Sequence, residues 1–154
     1  MARREECVEA LERVVHQLTW LGRKSLAQEL SYYGVTVPQF YALLSLEKRG
    51  RACPMSELAQ ATEQALATTT GIIDRLVKMG LVERRRQESD RRVVMVNLTR
   101  RGEQLLEEVK VRRRQSFYKA LEKFDDEEVD QLLSLLEALP LAFPGEEETS
   151  DKRG

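Results

Sequence analysis

The chain has 154 residues, which is the size of one compact domain and leaves no room for a separate catalytic domain. Its 25 Lys and Arg nearly balance its 26 Asp and Glu, and the formal net charge of −1 gives no sign of a polyanionic partner. Two cysteines exclude a disulfide scaffold, and no apolar run approaches the roughly 18 residues of a membrane span. The start of the chain lacks the apolar stretch of a signal peptide. We expect a cytoplasmic protein without membrane segment, metal or cofactor.

The charge is segregated along the chain. Residues 75–114 carry 13 Lys or Arg against 6 Asp or Glu, a local net charge of +7, whereas residues 122–154 carry 3 against 11, a local net charge of −8. Electrostatic fields in salt solution act over about 10 Å, so the basic segment can attract phosphates although the whole chain is nearly neutral. The distribution predicts a basic surface that binds nucleic acid.

The first predicted element is a long amphipathic helix over residues 4–31. Its apolar residues recur at mostly helical spacing among charged ones; they are Val8, Leu11, Val15, Leu18, Leu21 and Leu30. The second helix begins with Thr36 and Gln39, which form a T-x-x-Q capping box that satisfies backbone groups at the helix start. We expect this second helix to end at Gly50.

A helix-turn-helix follows, with a short helix over residues 56–62 and a fourth helix over residues 65–79. The buried face of the fourth helix is predicted to contain Ile72, Ile73, Leu76 and Val77, with Thr69 also projecting inward. The opposite face is small and polar, which suits close approach to a DNA groove. Its candidate contacts are Gln64, Ala67, Thr68, Thr70, Gly71 and Arg75. Glycine inside a helix costs about 1 kcal/mol against alanine, so close approach to DNA is a reason for Gly71.

An arginine-rich β-hairpin is predicted next, with strands over residues 81–86 and 93–98. A helix beside such a hairpin, or wing, can present side chains to the major groove and an arginine to the minor groove of one duplex. Arg91 at the tip is the strongest candidate, because a guanidinium is favoured in a narrow, electronegative minor groove. Asp90 is predicted to orient the hairpin by pairing with Arg92 or a neighbouring arginine.

Three consecutive arginines, Arg84, Arg85 and Arg86, alternate between the two faces of the first wing strand, so at most two of them point the same way. The candidate DNA contacts of the wing are Arg84, Arg86, Ser89, Asp90, Arg91 and Arg92. After the wing, Thr99 is a plausible N-cap for a helix that extends to about residue 123. Asp125 and Glu128 then form a second capping pair ahead of a last apolar helix.

These motifs, in this order and spacing over residues 5–140, resemble the MarR family, the multiple-antibiotic-resistance regulators. The matching residues are Thr36, Gln39, Phe40, Glu57, Leu58, Ala59, Asp74, Arg75, Leu76, the segment 80–86, Asp90, Arg91, Arg92, Leu98, Thr99 and Gly102. The fold class is therefore expected to be mainly α with a small β-hairpin: a winged helix-turn-helix with N- and C-terminal dimerisation helices. The resemblance implies a homodimer whose terminal helices intertwine and whose two winged lobes bind a pseudo-palindromic site on double-stranded DNA.

We expect one compact domain with four parts. Residues 1–35 form a dimerisation helix, residues 36–99 the winged DNA-binding lobe, and residues 100–144 further dimerisation helices, while residues 145–154 form an acidic, disordered tail. The candidate interface residues are Leu11, Val15, Leu132, Leu136 and Phe143; the alternative is that they pack within one chain. The chain departs from the family before the fourth helix, where Ala65 lacks the usual hydroxyl cap. Thr62 or Gln64 could replace its phosphate contact.

The resemblance also suggests a pocket for small aromatic or phenolic effectors. The candidates for its lining are His16, Trp20, Tyr32, Tyr33 and Phe40, and the alternative for these residues is ordinary helix or core packing. Some relatives sense peroxides through a cysteine in the first helix. Cys7 is a candidate for that role because a helix N-terminus lowers a thiol pKa, although an inert thiol fits its early position better. Cys53 is predicted to lie in a loop.

The sequence thus predicts a sequence-specific transcriptional regulator, a homodimeric repressor that a small-molecule effector releases. One alternative is a redox-sensing repressor that uses Cys7, and another is a winged-helix protein-interaction module that does not bind DNA. An enzyme is not expected, and no residue is assigned a catalytic role. The chain has no phosphate-cradling glycine loop, no metal-ligand spacing and no convincing nucleophile and base pair.

Overall fold

The computed structural model describes residues 2–62 and 64–142. These residues form six helices, which are α1 (Ala2–Ser31), α2 (Val37–Lys48), α3 (Met55–Ala61), α4 (Leu66–Lys78), α5 (Arg100–Leu121) and α6 (Asp126–Ala142). They also form three strands, β1 (Ala52–Pro54), β2 (Val82–Arg86) and β3 (Val94–Leu98). The predicted class, mainly α with a small β-hairpin, is confirmed. Phe143 and the acidic tail lie outside the described residues.

The strands form one antiparallel sheet in the order β1-β3-β2. The wing hairpin, β2 and β3, was predicted, but β1 was not. This strand has only three residues, too few for an alternating pattern, and it ends in Pro54 at the sheet edge, where a missing amide is tolerated. Cys53 pairs in register with Val96 and is only 3% exposed, so the prediction of a loop at Cys53 was wrong.

The capping boxes are present as predicted. The Thr36 hydroxyl accepts from the Gln39 amide at 3.5 Å, and the Gln39 side chain accepts from the Thr36 amide at 2.9 Å. Asp125 and Glu128 exchange the equivalent bonds at 3.1 and 2.9 Å. These side chains satisfy amides that the first helical turn leaves without partners, and they fix where α2 and α6 begin.

A continuous apolar core lies beneath the winged lobe. Its fully buried side chains come from five helices and the sheet: Leu30, Phe40, Leu43, Leu46, Leu58, Ile73, Leu76, Leu81, Val82, Val96, Leu106 and Val109. In α4 the buried positions are Thr69, Ile73 and Leu76, whereas Val77 is 37% exposed. Thr69 projects inward as predicted, but the burial of Val77 was wrong. The core contacts a narrow stripe of α4, and Val77 lies beyond its edge.

The chain divides into two compact units, one up to Arg113 and one from Arg114 onward, so the division falls within α5. The beginning of α5 packs closely against the sheet. A Cβ atom added at Gly102 would collide with the carbonyl oxygen of Leu81 and lie 2.7 Å from Leu98 Cδ1. Only glycine fits this contact. Among the described residues, no helix is long and apolar enough to cross a membrane.

Candidate DNA-binding surface

The outer face of α4 is exposed and small. Ala67, Thr68, Gly71 and Arg75 are all exposed along it, as the helical period predicted. Thr70 is partly buried, and its hydroxyl donates to the Leu66 carbonyl at 2.8 Å. No side chain lies within 4 Å of a Cβ added at Gly71. This face therefore offers a surface without protruding apolar groups that can approach a DNA groove.

The start of α4 has no side-chain cap, as its sequence indicated. Ala65 occupies the N-cap position without a side-chain hydrogen bond. The Thr62 hydroxyl is within bonding distance of the Leu58 and Ala59 carbonyls, at 3.0 and 3.3 Å, and so belongs to the end of α3. The Gln64 amide oxygen is buried and has no hydrogen-bond partner among the described residues. Neither side chain caps α4.

A shallow cavity of about 310 Å³ lies between this corner of α4 and the beginning of α2. It is lined by Thr36, Pro38, Gln39, Gln64, Thr68, Gly71, Ile72 and Arg75. Four of the six predicted DNA contacts of the recognition helix thus share one concave surface with the capping box of α2. The structure brings together residues that the sequence placed in separate elements.

The wing tip is held by its own backbone. The Asp90 carboxylate accepts from the amide of Arg92 at 2.9 Å, and the Asp90 carbonyl accepts from the amide of Val93 at 3.0 Å. Asp90 thus pairs with Arg92, as predicted, and the pairing is made through the Arg92 backbone amide. This turn displays Ser89, Arg91 and Arg92 in exposed positions.

The three strand arginines have different surroundings. Arg85 forms an ion pair with Glu83 at 2.7 Å on one face of β2. Arg84 points to the other side, where its Nη1 lies 2.5 Å from Asp74 Oδ1 and its Nη2 lies 3.4 Å from the Thr70 carbonyl oxygen. The structure thus directs Arg84, predicted as a DNA contact, toward α4. Sequence reasoning did not identify this role for Asp74, because the contact depends on how β2 packs against α4.

The remaining wing cations are available for phosphates. Among the described residues, Arg86, Arg91 and Arg92 form no ion pair, and all three are exposed. Arg75 and Lys78 add two positive charges in the last turn of α4. Phosphate contacts by such side chains release counterions and supply most of the sequence-independent affinity for DNA. The arrangement can therefore bind a duplex through a helix and an adjacent basic wing.

Comparison with known proteins identifies this architecture. Residues 35–94 match the model of the MarR family. The HTH-type transcriptional repressor MdtR of Bacillus subtilis is 31% identical over 129 residues, which cover 84% of this chain and 83% of MdtR. The chain belongs to the MarR family. It is a winged-helix, DNA-binding transcriptional regulator.

Solved structures of MarR proteins agree with this assignment. A MarR family protein from Bacillus stearothermophilus superposes with a TM-score of 0.80 at 33% identity, over 89% of this chain and 95% of that chain. A mutant of MarR from Escherichia coli, solved in complex with operator DNA, gives a TM-score of 0.64 at 27% identity, over 86% and 94% of the two chains. The likeness extends beyond the winged lobe to most of both chains.

The proposed effector residues of this MarR family chain do not gather in one place. Tyr32 and Tyr33 line a cleft of about 410 Å³ together with Met79, Leu81, Arg101, Gln104, Leu105 and Glu108. Phe40 is 2% exposed in the core and is not part of this cleft, so its assignment to the pocket lining was wrong. Its ring fills space between packed helices. His16 and Trp20 are exposed on α1 and do not line the cleft either.

Charged groups surround the tyrosines of this cleft. The Arg112 guanidinium lies 5.5 Å from the Tyr32 ring centroid and 5.8 Å from that of Tyr33. Burial raises the pKa of the Tyr33 hydroxyl, Arg112 opposes this shift, and the charge of Glu108 and a hydrogen bond with it add to the rise. Tyr33 is therefore a neutral hydroxyl at physiological pH. Arg101, Gln104 and Glu108 recur at i, i+3 and i+7 on α5, a signal that sequence reasoning missed.

The two cysteines have opposite environments. Cys7 is exposed on α1, whereas Cys53 is buried. Burial raises the pKa of the Cys53 thiol, although the nearby Arg49 acts in the opposite direction. Within residues 2–62 and 64–142, no group of His, Cys, Asp or Glu side chains has the arrangement of a metal site.

The described interface candidates are apolar side chains in exposed positions. On α1, Leu11 is 49% and Val15 is 45% exposed, and on α6, Leu132 is 41% and Leu136 is 51% exposed. Further exposed apolar side chains follow the same helices: Val8, Val14, Leu18, Leu21, Leu133 and Leu135. Each of these helices thus carries a stripe of exposed apolar side chains, a feature that marks interaction surfaces.

Proposed function

We propose that this protein is a homodimeric repressor that binds a pseudo-palindromic operator and that a small aromatic effector releases. The observation that carries the proposal is the exposed face of α4 beside a wing whose outer arginines have no partner among the described residues. Such a surface is suited to the backbone and base edges of one duplex. The name of its relative MdtR, a transcriptional repressor, supports the direction of regulation.

In this proposal each lobe reads two grooves. Thr68 and Arg75 contact bases or phosphates in the major groove, and Gly71 allows the backbone of α4 to come close. Arg91 enters the adjacent minor groove, where a narrow A·T-rich segment concentrates negative potential. The crystal structure of an E. coli MarR mutant in complex with operator DNA supports operator binding by this fold.

The exposed apolar faces support a dimer. Burying Leu11 and Val15 of α1 against a second copy removes apolar surface from water, at about 25 cal/mol for each Å². Leu132 and Leu136 of α6 supply further apolar surface for the same purpose. The two identical winged lobes of the dimer then bind half-sites about 34 to 36 Å apart on one face of the duplex.

The cleft beside Tyr33 is the proposed effector site. Leu81 and Leu105 give it an apolar floor, while Arg101 and Gln104 offer donors to a carboxylate or phenolate. A ligand that binds one dimer geometry better than another shifts the population toward that geometry and changes operator affinity. An aromatic acid matches both the apolar and the cationic sides of this cleft.

Operator binding is tested with DNA fragments upstream of the protein's own gene and its neighbours. We expect salt-dependent binding of a dimer, and we expect Arg91→Ala to weaken it about tenfold with a smaller salt dependence. Arg85→Ala, which removes a wing arginine already paired with Glu83 on β2, is the matched control and should change affinity much less. A protein that stays monomeric and ignores all these fragments at low salt would instead fit a protein-interaction module.

The effector site is tested separately by thermal unfolding in the presence of hydroxybenzoates and related aromatic acids. A ligand that binds the folded state raises the melting temperature. Arg101→Gln should abolish this rise, whereas Arg100→Gln, the neighbouring residue outside the cleft, should preserve it. An equal rise in both variants would place the ligand elsewhere.

A further inference from the structure

Arg84 and Asp74 connect the wing to the recognition helix, and the connection has an unusual geometry. One guanidinium contacts two positions of α4 that lie one turn apart, the Asp74 carboxylate at 2.5 Å and the Thr70 carbonyl at 3.4 Å. Residues four apart lie on the same side of a helix. Arg84 therefore contacts two successive turns on the same side of α4.

The strand itself directs Arg84 toward α4. Val82, Arg84 and Arg86 share one face of β2, and Val82 is buried at 2% exposure. Arg84 pairs in register with the fully buried Val96, so its stem begins over the core. Arg86 lies about 6.6 Å further along the strand, toward the tip. The same face thus gives Arg84 a partner on α4, whereas Arg86 forms no ion pair within the part of the chain that the structure describes.

Charge considerations explain why Asp74 is tolerated on this surface. Its carboxylate is half exposed on the outer side of α4, where an unpaired negative charge would repel DNA phosphates. Pairing with Arg84 neutralises it. An exposed ion pair contributes only about 0 to 1 kcal/mol to folding stability, so stability alone is a weak reason for the pair.

We propose that Arg84 and Asp74 are positioning residues, which set the orientation of the wing relative to α4 and do not contact DNA themselves. The inference rests on operator binding by α4 and the wing. With the pair intact, the wing arginine reaches the minor groove while α4 occupies the major groove. Without it, the hairpin remains attached through its core residues but samples other orientations.

The direction in which Asp74→Asn changes operator affinity distinguishes a positioning role from a purely electrostatic one. Asp74→Asn removes a negative charge from the DNA-facing side, which by itself should strengthen binding. As a positioning residue, Asp74 is needed for affinity, and Asp74→Asn should weaken operator binding several-fold. Arg84→Gln should have a similar effect, and the double variant should be no weaker than either single variant, because both remove the same contact.

Salt dependence provides the matched control. Loss of one phosphate contact reduces the slope of log K against log salt by about 0.9. We expect this reduction for Arg86→Gln, whose side chain forms no ion pair among the described residues. We expect it also for Arg84→Gln and Asp74→Asn, because each displaces the wing arginines from the minor groove, although Asp74→Asn removes no cation. Hydroxyl-radical footprints of these two variants should lose protection in the minor groove under the wing and keep the protection of the α4 half-site.

The exchanged variant, Asp74→Arg with Arg84→Asp, keeps the total charge and should recover part of the lost affinity. Melting temperatures of all variants show whether each one is folded. The proposal is overturned if Asp74→Asn binds as well as or better than wild type, or if Arg84→Gln lowers affinity and salt slope while Asp74→Asn changes neither. Absence of operator binding by the wild-type protein would overturn both this inference and the proposed function, whereas the other outcomes affect the inference alone.

Discussion

Lys110 of α5 donates to both carboxylate oxygens of Glu47 in α2, with Nζ–O distances of 2.6 and 2.8 Å. The two residues are 63 positions apart in the chain, and each side chain is about one third exposed. Nearby, Arg51 forms a second ion pair with Glu103 of α5 at 3.1 Å. Two salt bridges therefore attach the α2 side of the winged lobe to the first half of α5.

The Glu47–Lys110 pair should make a small, salt-dependent contribution to stability. Because both side chains are partly solvated, we expect a coupling energy of at most about 1 kcal/mol. Urea unfolding of Glu47→Gln, Lys110→Met and the double variant gives this value through a double-mutant cycle. The coupling should shrink at high salt, and a coupling that salt does not change would show that the pair is not the source of the effect.

Ala65→Ser should stabilise the protein. The backbone at Ala65 already has N-cap geometry, with φ −58° and ψ 142°, and only the side-chain acceptor is missing. A serine hydroxyl can accept from a free amide of the first turn, which is worth about 1 kcal/mol. Thermal unfolding measures the gain. Ala65→Val, which supplies no acceptor and is as poor an N-cap as alanine, serves as the control, and an equal gain in both variants would contradict the capping explanation.

Alanine should have opposite effects at two helical glycines. At Gly102 it forces a Cβ into the Leu81 carbonyl, and such overpacking typically costs about 1 to 3 kcal/mol. At Gly71 the surrounding space is open, so the higher helix propensity of alanine should stabilise the protein by about 1 kcal/mol. Thermal unfolding compares the two variants. Gly71→Ala should also weaken operator binding if α4 approaches DNA closely at this position.

Cys7 should react with iodoacetamide much faster than Cys53 in the folded protein. The thiolate is the reactive form, and burial both shields Cys53 and raises its pKa. Mass spectrometry of alkylated peptides distinguishes the two sites, and unfolding in urea should equalise them. Rapid labelling of Cys53 without denaturant would show that the region around β1 opens readily.

The same pKa shift predicts how stability depends on pH. The folded-state pKa of Cys53 is raised above its unfolded value, so the unfolded state loses this proton first as pH rises. The stabilising contribution is present at neutral pH and is lost as pH rises through the alkaline range. Cys53→Ala should remove this part of the pH dependence, and Cys7→Ser should leave it in place.

The sequence predicted those features that depend on neighbours along the chain. Helical periodicity identified the exposed face with Thr68, Gly71 and Arg75, and the T-x-x-Q spacing located the start of α2. Features that depend on packing between distant elements were not predictable in this way. Alternation along β2 indicates which face Arg84 shares, but not that Asp74 lies opposite. The position of Val77 likewise depends on how wide a stripe of α4 the core covers.

Because residue 102 is a glycine, the first turn of α5 packs directly against the residues at the ends of the two wing strands. Leu81 immediately precedes β2 and Leu98 ends β3, so the glycine contacts the chain where both wing strands begin or finish. With no side chain between Gly102 and the Leu81 carbonyl, no rotamer change absorbs a tilt of the helix axis at that contact, whereas the contact with Leu98 is made by the Leu98 side chain. A change in the direction of α5 is therefore passed directly to the backbone that enters β2, the strand that leads to Arg91.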